Sequence, residues 1–572
     1  MARKTAPRKP PQANAAANNT IIKDASTKAL IRAACLLLLA AVSSPVSQQS
    51  LSPVYGSIPS SLFHQRGMTM TALLAFMGRS AMNKFLPTNL DQYIPVLAYW
   101  IPTIQYLLFQ VSGRLGPTNG PVITEAVTYF PLLFFALYTV GELLEPFQPE
   151  GVSSNLGEIL PVIGSYVSFS FIEKTTSFWL PRIIGTNIFL HRSGLQLLIA
   201  SASAALSPSK LCFLAIPAML HTIRANPHYT SDATLAVLES RLQPYNYTLL
   251  ERQESITGYI SVLDGHDMQF RLLRCDHSLL GGEWLITPER AQDGQVMRET
   301  IYSVFTMLES ARLVETGNTK PDSKKKALTI GLGIGTAPKA FISHGINTTI
   351  VEIDPVVHYF ATKYFDLPSN HTAAIQNAIP FVDNAAKETP GAYDYIIHDV
   401  FTGGAEPTSL FTLEFLEGLK ALLKDDGVVA INYAGDMHLP PTILILSTIR
   451  TVFPTCRIFR DQPPSTPPPS ADPKTKPQAD FINMVVFCTK STEPLTFRYP
   501  TENDFRGSMS RREFLYPKPD LEVQFPPTVE GKEAKVLKRG GEGEVEKYHQ
   551  ASAVSHWHIM RTVLPDGVWE NW

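Results

Sequence analysis

The sequence is short of charge. Only 17% of its 572 residues are Asp, Glu, Lys or Arg, against about 25% in ordinary soluble domains. Neither sign is in excess: 49 basic residues stand against 51 acidic ones, a formal net charge of −2. A chain without a positive field is poorly suited to capturing nucleic acid, and no such partner is expected. Cysteine is scarce as well. The five (Cys35, Cys212, Cys275, Cys456, Cys488) are scattered, odd in number and form no CxxC. That excludes a disulfide framework and a cysteine-based zinc site. The length implies more than one domain. Mean hydropathy is +0.01, yet the second half reads as ordinary soluble protein, so the missing charge belongs to the first half.

Long apolar runs fill that first half. Residues 92–113 carry no charge over 22 positions, and about 20 suffice to cross the hydrocarbon core. Runs at 29–46, 119–141, 156–172 and 195–223 are similar, and 67–86 is the weakest because Arg79 and Lys84 sit inside it. They predict a basic, disordered leader over 1–28 and an α-helical membrane sector of about six helices over 29–223. Arg3, Lys4, Arg8 and Lys9 put the leader in the cytosol by the positive-inside rule. Six spans then return the second half to the cytosolic face of a multi-pass protein, with the lipid bilayer as its first partner. Glu125, Glu173, Lys174 and Lys210 lie in or beside the runs, where charges point to a cation pathway or to interface anchoring.

The second half alternates. Residues 244–290 read as a small antiparallel β unit with turns at Asp264-Gly265 and Gly281-Gly282. Over 296–490 strand patterns alternate with helix patterns, which implies a parallel sheet covered on both faces: an α/β nucleotide-binding domain. Residues 491–572 turn charged and rich in Pro and Gly, an irregular tail with 532–547 disordered. The chemistry sits at strand ends. Gly331, Gly333 and Gly335 alternate where a strand turns into a helix, so the backbone can approach a ligand at the helix start. The next strand ends in Glu352-Ile-Asp354, and an acid about 20 residues past such a turn accepts from ribose hydroxyls. A third strand ends at His398-Asp399, whose carboxylate overhangs the mouth of a site. His398 itself reads as a packed imidazole, and His556 with His558 lacks further metal ligands, so no metal is expected. Sequons begin at Asn246, Asn347 and Asn370.

Residues 245–488 resemble the polyamine aminopropyltransferases, the spermidine and spermine synthase family. The leading β unit, the glycine turn, Glu352 with Asp354, Asp399 and the pair Leu410-Phe411 carry the likeness. The subgroup with a membrane sector ahead of a synthase-like domain fits best. The resemblance implies a Rossmann-like sheet of the S-adenosylmethionine type with S-adenosylmethionine or its decarboxylated form as cosubstrate. It also implies that Asn377 faces the adenine and that Asp399 orients or deprotonates the acceptor. Departures lie on the substrate side: Ile334 and Thr402 stand where synthases carry acids, and Leu280 where they carry Gln. Burying a polyamine without paired carboxylates is expensive. The family resemblance makes aminopropyl transfer to a small amine the leading expectation, while Ile334 and Thr402 favour methyl transfer to an unknown acceptor, and a non-catalytic nucleoside-binding scaffold is a further alternative. An oligomer is compatible with any of these.

Overall fold

The computed structural model describes residues 13–86, 89–147, 154–187, 189–400, 404–463, 481–526 and 535–572. The chain divides into two compact units. The first comprises Met1–Ser50, Phe63–Leu108 and Asn119–Thr234; the second comprises Leu51–Leu62, Phe109–Thr118 and Leu235–Trp572. Two short segments of the apolar first half thus belong to the second unit.

The first unit is helical. Its core sets Ala40, Ala41, Ala72, Ala75 and Ala136 against Leu36, Met68, Leu133 and Leu137, and such small side chains let helix backbones approach closely. A sector of six spans is not shown by these helices. Among the described residues two stretches, Ser26–Tyr55 and Ser112–Phe147, are long and apolar enough to cross a membrane. The run at 92–113 yields the helix Ile94–Phe109, 16 residues, or about 24 Å at 1.5 Å per residue, short of a ~30 Å hydrocarbon core. The run at 195–223 is broken after Leu206 and restarts as Ile216–Arg224 with Pro217 in its first turn, where proline is tolerated. Glu125 and Glu173 are not free charges. His64 Nδ1 donates to Glu125 at 2.7 Å and Ser44 Oγ to Glu173 at 3.1 Å, while Ser44 and His64 Nε2 are 2.7 Å apart. Every member of that chain is buried, which removes the motive for a cation pathway.

The second unit holds two sheets. Strands β1 (Tyr247–Ser255), β2 (Gly258–Gly265), β3 (Phe270–Cys275), β4 (Ser278–Trp284) and β5 (Glu299–Thr300) form an antiparallel meander in chain order. The larger sheet comprises β6 (Lys326–Ile330), β7 (Asn347–Glu352), β8 (Thr372–Ile375), β9 (Tyr393–His398), β10 (Leu423–Asp436), β11 (Thr455–Arg460), β12 (Phe481–Thr489) and β13 (Glu522–Val523). Their spatial order is β13-β11-β12-β10-β9-β6-β7-β8. The run from β10 to β8 is parallel and the other edge antiparallel. This is a Rossmann-like sheet, and its strand order reverses between β6 and β9, the crevice where such sheets bind ligands.

Two expectations need correction. The tail is not irregular: Gly543–Val563 is a 21-residue helix whose buried Val545, Ala553, Trp557 and Met560 lie on one stripe. Beyond it Trp569 is fully buried. Of the stretch expected to be disordered, 532–534 lie outside the described residues, and 543–547 open this helix. The glutamates and lysines that suggested disorder flank that stripe. Cysteine is not wholly unpaired either: Cys456 and Cys488 face each other across β11 and β12 and form a disulfide. Their 32-residue separation hid a pairing that only strand register creates.

Candidate functional site

A cavity of about 570 Å³ opens at the crevice between β6 and β9. Ligand pockets commonly measure about 300–1,000 Å³. Its walls include Gly331, Gly333, Glu352, Asn377 and Asp399, which come from the ends of four parallel strands. Strand pairing fixes their order. Gly331 N donates to Val351 O and Asp399 N to Ile330 O, both at 2.9 Å, while Gln376 N donates to Glu352 O at 2.9 Å.

The glycine turn is a close backbone approach. Gly331 and Gly333 have φ of +83° and +54°, left-handed conformations that cost a side-chain-bearing residue. A Cβ on Gly331 would run into the carbonyl of Asp399, and one on Gly333 would lie 2.6 Å from Leu280 O. Gly335 stands apart. It caps the helix Thr336–Ser343 and does not line the cavity, so it serves the turn.

Glu352 is 7% exposed, and Asp354 N donates to its Oε1 at 2.9 Å. Burial pushes its carboxyl up to about 7 against the backbone N–H groups that favour the charge. Asp354 points elsewhere. It caps the helix Pro355–Tyr364 through Val356 N at 2.8 Å and accepts from Ser255 Oγ at 2.6 Å. Asn377 is exposed in the cavity wall; its Oδ1 accepts from Ile379 N at 2.9 Å to cap the next helix. That oxygen keeps a second lone pair, and the amide NH₂ stays available.

Asp399 is held by Asn432, whose Nδ2 donates to Oδ1 at 2.8 Å from the neighbouring β10. Burial pushes the carboxyl up to about 6, and the Asn432 bond offsets part of that rise. It is ionised at neutral pH and still basic enough to take a proton. His398 is a packing residue: fully buried, with Nε2 on Leu410 O at 3.0 Å and burial taking it down to about 4.

The acids of a polyamine synthase are not rebuilt elsewhere at the positions compared. Ile334 is 2% exposed and packs with Ile260, Leu273 and Val356 in an apolar cluster, and Leu280 contributes an apolar wall. Thr402 lies outside the described residues. Among the described residues no cluster fit to hold a metal ion occurs.

Sequence reasoning missed the far wall. Glu406, Asn432, Tyr433 and, from the C-terminal helix, His556, Ile559 and Val563 all line the cavity. The helical stripe around Trp557 was the available signal for the last three.

Comparisons with known proteins fit this geometry. Residues 307–462 match the spermine/spermidine synthase domain. Over 563 residues the chain is 46% identical to the N-terminal histidine N-methyltransferase of Emericella nidulans, covering 96% of this chain and 98% of that protein. The chain belongs to that N-methyltransferase family. It is also 33% identical over 211 residues to the polyamine aminopropyltransferase of Vibrio vulnificus, which covers 36% of this chain and 66% of that protein. A probable spermidine synthase from Corynebacterium glutamicum aligns over 47% of this chain and 88% of its own with 18% identity and a TM-score of 0.35. The relative matched over nearly the whole chain is thus a methyltransferase, and the match to the aminopropyltransferase covers about a third of this chain.

S-adenosylmethionine is accordingly the cosubstrate, and the residues present suit it. Glu352 offers a buried acceptor for ribose hydroxyls, the glycine turn leaves room for close approach, and among the described residues no lysine or arginine lines the cavity to repel a cationic sulfonium.

Proposed function

We propose that this protein is an S-adenosylmethionine-dependent methyltransferase whose acceptor is the histidine at the N-terminus of a polypeptide. The observation that carries the reading is the 46% identity along 98% of the Emericella nidulans enzyme. The geometry supports it: an oriented base, Asp399 on Asn432, with the nucleoside side of the cavity intact and a buried Ile334 where synthases carry the acid for the propylamine nitrogen of the decarboxylated cosubstrate. Glu352 holds the ribose, Asn377 faces the adenine, and the turn at Gly331 and Gly333 admits the cosubstrate.

A neutral imidazole attacks with the lone pair of one ring nitrogen. The N–C bond forms as the methyl C–S bond breaks, and its electron pair stays on sulfur, giving S-adenosylhomocysteine. The other ring nitrogen would be left as an imidazolium N–H, and Asp399 takes that proton. Alignment and one base are enough for this step.

The first unit seats the protein in a membrane. This reading is supported by the large apolar side chains it leaves in the open, among them Met77, Phe171, Phe213 and Leu214, each more than half exposed.

The test is to incubate the full-length, detergent-purified protein with S-adenosylmethionine and a histidine-starting peptide. S-adenosylhomocysteine should appear together with one added methyl on the first residue, and a peptide with alanine placed before the histidine should stay unmodified. Methylthioadenosine formed from the decarboxylated cosubstrate and an amine would restore the aminopropyl reading instead.

A further inference from the structure

Four carboxylates line the cavity: Asp276, Glu352, Asp399 and Glu406. Three have work. Asp276 Oδ1 accepts from Tyr259 N at 2.8 Å, Glu352 from Asp354 N, and Asp399 from Asn432. Glu406 differs. It is 8% exposed, and among the described residues its carboxylate meets only its own backbone N–H, while its carbonyl accepts from Thr408 Oγ1 at 3.4 Å. A buried carboxylate in a cavity wall lacking lysine and arginine is poorly compensated by the protein itself, so its partner arrives with a ligand.

Its position says which ligand. The strand order is β7, β6, β9, β10, with neighbours about 4.8 Å apart. Glu352 ends β7, Asp399 follows β9, and Glu406 lines the cavity with Tyr433 of β10 and His556, in a loop that meets the C-terminal helix where Thr408 Oγ1 is 3.3 Å from His549 Nε2. Glu406 therefore lies beyond the base on the side away from the ribose-binding acid. That is the acceptor side. An unblocked polypeptide carries an α-ammonium there at neutral pH, since the α-amino group titrates near 7.7–8.0. It sits on the same residue as the imidazole to be methylated.

Resting on the acceptor proposed above, we infer that Glu406 binds the α-ammonium of the substrate. The enzyme then recognises a free N-terminus by charge and the histidine ring by Asp399. This gives a physical reason for N-terminal selectivity: an internal histidine presents a neutral amide where Glu406 requires a cation.

The experiment uses the full chain and two peptides of one sequence, one with a free α-amine and one starting with the des-amino analogue of histidine. For the wild type, kcat/KM should favour the free amine about tenfold to a hundredfold, the range of a charge-assisted hydrogen bond. In Glu406→Gln the ratio between the peptides should fall to near one, and Glu406→Asp should keep part of it, which a folding defect would not do. A ratio unchanged in Glu406→Gln overturns the assignment of Glu406, as does a wild type indifferent to the amine. If the wild type methylates neither peptide, the proposed acceptor itself is wrong and the assignment falls with it.

Discussion

Replacing Glu352 by Gln keeps the size of the side chain and the oxygen that accepts from Asp354 N at 2.9 Å. What disappears is the charge that ribose hydroxyls would donate to. Hydrogen bonds to charged groups are worth about 1.5–3 kcal/mol, so affinity for S-adenosylmethionine should fall about tenfold to a hundredfold. The size of the effect depends on pH in a definite sense. Burial raises this carboxyl to about 7, so the charged acceptor dominates above pH 7 and is lost below it. Wild-type affinity should therefore climb as pH rises through 7, while that of the Gln variant stays flat, and the two should converge near pH 6. Asp354→Asn is the contrast. Asp354 caps a helix and accepts from Ser255 Oγ, so its loss should cost about 1–2 kcal/mol of stability with affinity nearly intact. Isothermal calorimetry at pH 6, 7 and 8, with thermal melts of the same samples, reads both effects. Equal affinity losses in the two variants, or a difference from wild type at pH 6 as large as at pH 8, would refute the assignment of the ribose to Glu352.

Other outcomes follow from the same geometry. Asp399→Asn should lower kcat about 10²- to 10⁴-fold, the range for a lost general base, with cosubstrate affinity little changed by calorimetry. Because burial raises the Asp399 carboxyl to about 6, its ionised form accumulates above that pH, and wild-type activity should fall as pH drops through 6; the limb that persists in the variant belongs to the acceptor imidazole alone. Trp569→Ala should cost about 3–5 kcal/mol of stability by melting, since Trp569 is fully buried, lies 4.3 Å from the His277 ring and carries Arg274 at 4.7 Å over its face. The compartment is also testable. The Cys456–Cys488 disulfide suits an oxidising lumen and opposes the cytosolic placement expected from the basic leader and six spans, so the exposed sequon at Asn246 should carry a glycosidase-sensitive glycan; an unmodified chain with free thiols at both cysteines restores the cytosolic side.

Most strands and helices between residues 326 and 452 were legible because each is a short apolar run ended by turn residues, whereas the exposed strand Thr372–Ile375 and the helix Ala378–Glu388 were not. The first half was not legible in the same way. Uninterrupted apolar stretches fix hydrophobicity but not helix continuity, and the breaks after Leu206 and at Thr128 arise where the chain turns within the helical unit. The C-terminal helix was hidden by composition: Glu542, Glu544, Glu546 and Lys547 surround Val545, whose burial becomes visible only once Trp557 and Met560 are seen on the same stripe.

The substrate was illegible for a chemical reason. S-adenosylmethionine and its decarboxylated form share nucleoside and sulfonium, so a glycine turn and an acid addressing the shared part, the role proposed for Gly331, Gly333 and Glu352, would identify either. Discrimination must lie with groups that face the transferred carbon and the acceptor. In this chain the candidates are Asn432, Tyr433, Glu406 and His556, which line the cavity and enter from a neighbouring strand, a loop and a helix more than 150 residues past Asp399. No spacing rule links residues that only the fold brings together. A local motif can therefore reveal which cosubstrate scaffold a protein carries, while the identity of the acceptor resides in a wall assembled from distant segments. Ile334, with Thr402 and Leu280, was a local sign of a changed purpose. A buried aliphatic side chain where a synthase needs a carboxylate removes the partner of a propylamine nitrogen, and a methyl group asks for no partner at all.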